Sequence, residues 1–188
     1  MNKFLLAAAI VLIAGTTASA PAQSPEAAAS TVRDGSHDFD FSLGSWRTDV
    51  TIIKDPFNNP NKVVHMKGTK VARAVWNGKA VLEEIEATGP DGHWQGANLF
   101  LYDPVAGQWS QNYADSGTGR MDGTPSIGGY RDGSLEFYSQ EFVGDRAMLV
   151  RGTWKDFTPN SHTYEIQRSN DGGRSWHTSF IALVSRAQ

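Results

Sequence analysis

From Phe39 onward, apolar and polar residues alternate with period two, and glycine, proline, asparagine or aspartate interrupts the alternation roughly every 8–15 residues. No stretch keeps apolar residues at helical spacing for three turns. Period two sends successive side chains to opposite faces of a strand, so each run buries one face and wets the other. The runs predict strands over residues 46–54, 63–76, 80–87, 94–102, 108–114, 135–143, 146–157, 162–169 and 174–185, about nine or ten in all. Asn77-Gly78 is the strongest hairpin signal in the chain. Tight turns between consecutive runs make sequence neighbours spatial neighbours. A meander of this length exposes two edges unless it closes on itself. The expected fold is all-β: an antiparallel up-and-down β-barrel of about 8–10 strands, wide enough for side chains or one small ligand.

Composition narrows the chemistry. The 188 residues include no cysteine, which excludes disulfides, thiolate metal sites, a cysteine nucleophile and a lipid-modified N-terminal cysteine. A chain of this length buries enough surface to fold without such staples. A formal net charge of −3 argues against a nucleic-acid partner, whose phosphates need a basic face.

The N-terminus reads as an address rather than as fold. Lys3 precedes the apolar run 4–14, and Ala18-Ser19-Ala20 has the small-x-small pattern that signal peptidase cleaves. The run is too short to span a bilayer. Residues 1–20 are therefore expected to be a signal peptide cleaved after Ala20, and the product periplasmic or secreted, with no membrane span. Residues 21–36 hold no apolar side chain larger than alanine before Val32 and read as a flexible tether. The barrel domain is expected over 37–188.

One constellation is more specific. Phe39-Asp40-Phe41-Ser42-Leu43-Gly44-Ser45-Trp46 opens the first strand and Arg186 ends the last. This resembles the Gly-x-Trp signature of calycins, the lipocalin-like barrels, and the longer opening resembles secreted bacterial members that carry a domain of unknown function. The resemblance covers 39–186 and implies that Gly44, Trp46 and Arg186 close the barrel, with the guanidinium lying across the indole. The chain departs from classical lipocalins in lacking their disulfide and a C-terminal helix.

A second motif, Ser169-Asn170-Asp171-Gly172-Gly173-Arg174-Ser175-Trp176, fits the Asp-box pattern familiar from sialidase propellers. A propeller needs several copies at a fixed period. One copy is a hairpin: aspartate bonds loop amides, glycine allows positive φ, and Trp176 is expected to anchor the turn to the core.

Candidate chemistry is sparse. The histidines are His37, His65, His93, His162 and His177, and no two have metal-ligand spacing. His177 is a haem-ligand candidate by analogy with related barrels, although its phase opposes that of Trp176, Phe180 and Val184. His65, Glu83 and Glu86 are the candidate acid–base residues. Ile85 and Val81 share the phase of Glu83 and turn it inward, with Arg73 as its approximate partner across Asn77-Gly78. Tyr102, Trp109, Tyr113, Tyr138 and Trp154, with Arg73, are candidates for lining a ligand cavity. No glycine-rich phosphate loop or nucleophile elbow is present, so no cofactor is expected. The chain thus reads as a monomeric or homodimeric barrel that binds a small hydrophobic or aromatic molecule inside. Two alternatives stay open: a lyase, isomerase or hydrolase built on an interior carboxylate and histidine, and a haem-binding barrel.

Overall fold

A computed structural model describes residues 33–187. The expected signal peptide and most of the expected tether lie outside the described residues. Among these, no helix is long and apolar enough to cross a membrane.

The first five strands are β1 (Gly44–Asp55), β2 (Asn59–Val75), β3 (Ala80–Gly89), β4 (Gly92–Asp103) and β5 (Gln108–Asp115). A two-residue β6 (Arg120–Met121) and β7 (Ser126–Arg131) follow. The wall is completed by β8 (Ser134–Val143), β9 (Arg146–Thr158), β10 (Ser161–Ser169) and β11 (His177–Arg186). Consecutive strands pair antiparallel except β6 and β7, β5 pairs with β7, and β1 pairs with β11, which closes a ten-strand barrel with β6 as a short side ribbon on β5. The up-and-down barrel read from the alternation is the observed fold. The strand β7 is the exception, because Gly128 and Gly129 break its alternation and the sequence reads there as a glycine-rich loop.

Those glycines have a packing reason. A Cβ on Gly128 would lie 1.8 Å from the backbone oxygen of Glu136, and one on Gly68 in β2 would lie 1.7 Å from that of Glu86. Bare backbone at both positions lets neighbouring strands approach at the bends that a small barrel requires.

The interior is half filled. At one end a 3₁₀ turn over Asp40–Ser42 carries Phe39 into the barrel. Its ring centroid lies 4.2 Å from that of Phe100, 5.0 Å from Trp109, 5.5 Å from Trp154 and 5.7 Å from Phe137. Gly35 is tied to the same floor, accepting a hydrogen bond from Trp109 Nε1 and donating its N–H to the Tyr102 hydroxyl. Ordered contact with the barrel thus already exists at Gly35, inside the segment read as tether.

The closure expected from the calycin resemblance is present. Trp46 pairs with Arg186 across β1 and β11, and the guanidinium carbon sits 3.7 Å from the indole centroid. Arg186 donates to the Leu43 carbonyl and Trp46 Nε1 to that of Ser42. Gly44 has φ of +105°, and a Cβ there would meet Arg186 Nη1 at 2.7 Å. Glycine is required twice over, by backbone conformation and by the arginine packed on it.

Candidate ligand-binding cavity

Above the Phe39 plug the barrel is hollow. The cavity has a volume of about 790 Å³, within the range of sites that hold small organic ligands. Its walls are apolar, from Val50 and Ile52 on β1, Met66 on β2, Ile85 on β3, Ile166 on β10 and Phe180, Ala182 and Val184 on β11. Strand parity puts them there, since each shares the phase of a buried residue on its own strand.

Parity also turns Lys70, Glu83, Asn98, Gln111 and His162 inward, at the base of the cavity. Lys70 Nζ lies 3.1 Å from Glu83 Oε2, 2.9 Å from Ser42 Oγ and 3.2 Å from His162 Nε2. Three ammonium protons therefore meet three acceptors. Ser42 donates to Glu83 Oε2, Asn98 Nδ2 donates to Glu83 Oε1, and Gln111 Nε2 donates to Asn98 Oδ1. Because the carboxylate only accepts, it dictates the orientation of both amides in turn. His162 accepts from Lys70 at Nε2, so its proton sits on Nδ1, a buried atom with no partner among the described residues. Burial, reinforced by Lys70 and Arg186, lowers the His162 pKa to about 3 and keeps the imidazole neutral.

Higher in the cavity, Arg168 Nε donates to Glu141 Oε1 at 2.5 Å, and Arg168 Nη1 donates to Ser179 Oγ. Tyr113 accepts a hydrogen bond from Trp94 Nε1 at 3.1 Å, and burial pushes the phenol up to about 12. Burial also raises the Tyr164 hydroxyl, and next to the mouth it raises the Asp122 carboxyl, helped there by Asp115 and Glu141.

The expected site residues fall into three groups. Tyr113 and Trp154 line the cavity, as does Glu83. Tyr102 and Trp109 belong to the packed floor. Tyr138, Arg73 and His65 lie on the outer wall, where Tyr138 donates to Glu136 and His65 is hydrogen-bonded to Thr51, whereas the exposed Glu86, which accepts from Thr69, reaches the edge of the cavity lining. The acid–base group of Glu83, Glu86 and His65 is thus not brought together.

Arg73 is not the partner of Glu83. Paired positions across the β2–β3 hairpin put Ala72 opposite Glu83 and Arg73 opposite Leu82, one residue from the expected register, and one residue inverts the face. Lys70, two residues from Ala72 on the same face, is the diagonal neighbour and takes the carboxylate. His177 packs against Phe57 in a tilted contact, with centroids 4.9 Å apart, and does not line the cavity.

Trp176 also differs from expectation. The Asp-box turn forms as anticipated: Asp171 accepts from the amides of Arg174 and Ser175 and from the Ser175 hydroxyl, which holds its carboxyl well below the usual range. But the β10–β11 register skips Ser179 between Phe180 and Thr178, and this bulge reverses the phase below it. Trp176 consequently lies on the outer wall, under Arg151 at 4.5 Å, and not in the core.

No family model matches the chain, and no curated protein matches it. Among solved structures, it is similar to the S-type phycobiliprotein lyase CpeS from Guillardia theta, at 12% identity and a TM-score of 0.56 over 83% of this chain and 94% of that one. It is also similar to Rv2717c from M. tuberculosis, at 12% identity and a TM-score of 0.55 over 84% of this chain and 99% of that one. With the Gly44–Trp46–Arg186 closure, these likenesses define the fold as a lipocalin-like, calycin-type β-barrel of ten strands.

Proposed function

We propose that this chain is a periplasmic or secreted container that takes one small hydrophobic or aromatic molecule into its barrel. The observation that carries this reading is the cavity itself: about 790 Å³, walled by aliphatic and aromatic side chains above a hydrogen-bonded polar base. A barrel serving only as a scaffold gains by filling this space, because empty apolar volume costs stability. Likeness of fold at 12% identity adds an architecture and not a ligand. The export half of the proposal rests on the 1–20 pattern.

Native mass spectrometry of the chain, expressed at full length and recovered without organic solvent, tests both halves. The expected result is a mature species starting at Pro21 that carries a non-covalent small molecule, or that gains several degrees in Tm with members of a hydrophobic panel. An uncleaved chain refutes export. A ligand-free protein whose Tm no panel member raises refutes the container.

A further inference from the structure

The interior charges of this cavity are paired, and the unpaired ones are carboxylates on exposed residues. Each basic side chain that lines it already faces a carboxylate: Lys70 with Glu83, Arg168 with Glu141, and at the rim Lys54 with Asp91 at 2.6 Å. All three ammonium protons of Lys70 are taken, and His162 is neutral. Among the described residues two lining carboxylates lack a Lys or Arg partner, both exposed: Asp122, at the mouth, and Glu86, whose neighbour is His93 at 4.0 Å. An anionic ligand therefore finds no free cation inside and meets a carboxylate on the way in. A cationic ligand finds no free carboxylate in the interior. Either one gives up its hydration without a counter-charge.

The groups left over are neutral and few. Tyr113 accepts from Trp94 through its oxygen, and no bond donated by its own hydroxyl is present among the described residues. Gln111 gives Nε2 to Asn98, an orientation set by Glu83, and is hydrogen-bonded to the Tyr164 hydroxyl, while its Oε1, with two lone pairs, has room to accept a further donor. Tyr113 and Gln111 stand two residues apart on β5, on the same inward face. One donor and one acceptor are thus presented together on one strand, facing the apolar side chains of β1, β10 and β11, while the unpartnered His162 Nδ1 proton is buried at the base.

We infer that the cavity selects uncharged ligands, with an apolar body and one group that both donates and accepts a hydrogen bond, a hydroxyl or a secondary amide, held by Tyr113 and Gln111. This rests on the container reading and narrows it to a chemical class.

The test uses four probes with one aromatic body: 1-methylpyrene, 1-pyrenemethanol, 1-pyrenecarboxylate and 1-pyrenemethylammonium, titrated at pH 7 against tryptophan-to-pyrene energy transfer. The expected result is that the alcohol binds at least about tenfold more tightly than either ion. Tyr113→Phe should reduce the advantage of the alcohol over 1-methylpyrene by roughly fivefold, the loss of one neutral hydrogen bond. Carboxylate or ammonium binding as tight as the alcohol's overturns this inference and leaves the container intact. So does an alcohol advantage over 1-methylpyrene that Tyr113→Phe does not alter. Binding of none of the four at micromolar concentration removes the container reading, and this one with it.

Discussion

The buried imidazole of His162 has the clearest solution consequence of any single residue. Its pKa falls from an ordinary 6.5 to about 3 because burial and two nearby cations oppose a positive ring. The unfolded chain takes up this proton near pH 6.5, whereas the folded chain does so only near 3. Stability is therefore fully present above about pH 6.5 and drains away as pH falls through the window between the two values. Between pH 7 and pH 4.5 the wild-type chain should lose about 2–3 kcal/mol more than His162→Gln, whose amide oxygen still accepts from Lys70. Urea midpoints at the two pH values measure this, and parallel losses in both proteins would show that the imidazole is not the group responsible. Lys70 and His162 were hard to find from sequence for different reasons. Lysine is usually a solvated residue, although the phase of Lys70, shared with Met66 and Ala72, was a usable sign. His162 opens a strand immediately after a turn, where its phase has no preceding residue to be judged against.

Among the elements, the plug is the one whose removal can be forecast. Phe39 is 1% exposed and touches four aromatic rings from β4, β5, β8 and β9. The strands alone leave the floor open, and the turn Asp40–Ser42 fills it while delivering Ser42 to the Lys70–Glu83 pair. Phe39→Ala should cost about 3–5 kcal/mol, and Phe39→Leu clearly less, by thermal or denaturant unfolding. A loss under about 1 kcal/mol for the alanine variant would mean the floor collapses around the gap. The closure by Gly44, Trp46 and Arg186 was legible through its resemblance to the calycin signature, whereas the filling of the floor by Phe39 depends on rings from four strands distant in sequence and was not. Nor were strand β7 and the outward turn of Trp176, because a glycine pair erases alternation and one bulged residue, Ser179, reverses it.

At the scale of the whole molecule, the wall is uneven. β5 pairs with β7 only at Trp109, Ser110 and Gln111, and above that point β5 turns its edge to the short β6. On the opposite side β1 pairs with β2 along nearly its whole length and with β11 from Trp46 to Ile52. Hydrogen exchange should therefore proceed first in β6, β7 and the upper part of β5, and last in β1, β2 and β11. Equal protection around the ring would show that the thin seam is as stable as the rest. Alternation and turn residues act through local sterics, so the residues themselves determined the all-β class, the strand order and, by parity, the inward turn of Glu83. Which cation meets Glu83, which rings close the floor and how much space remains above them depend on strand register and on contacts between residues far apart in sequence. A shift of one residue inverts those assignments. Only the closed barrel decided that Lys70 rather than Arg73 lies inside, and that the interior is a cavity with paired charges rather than a filled core.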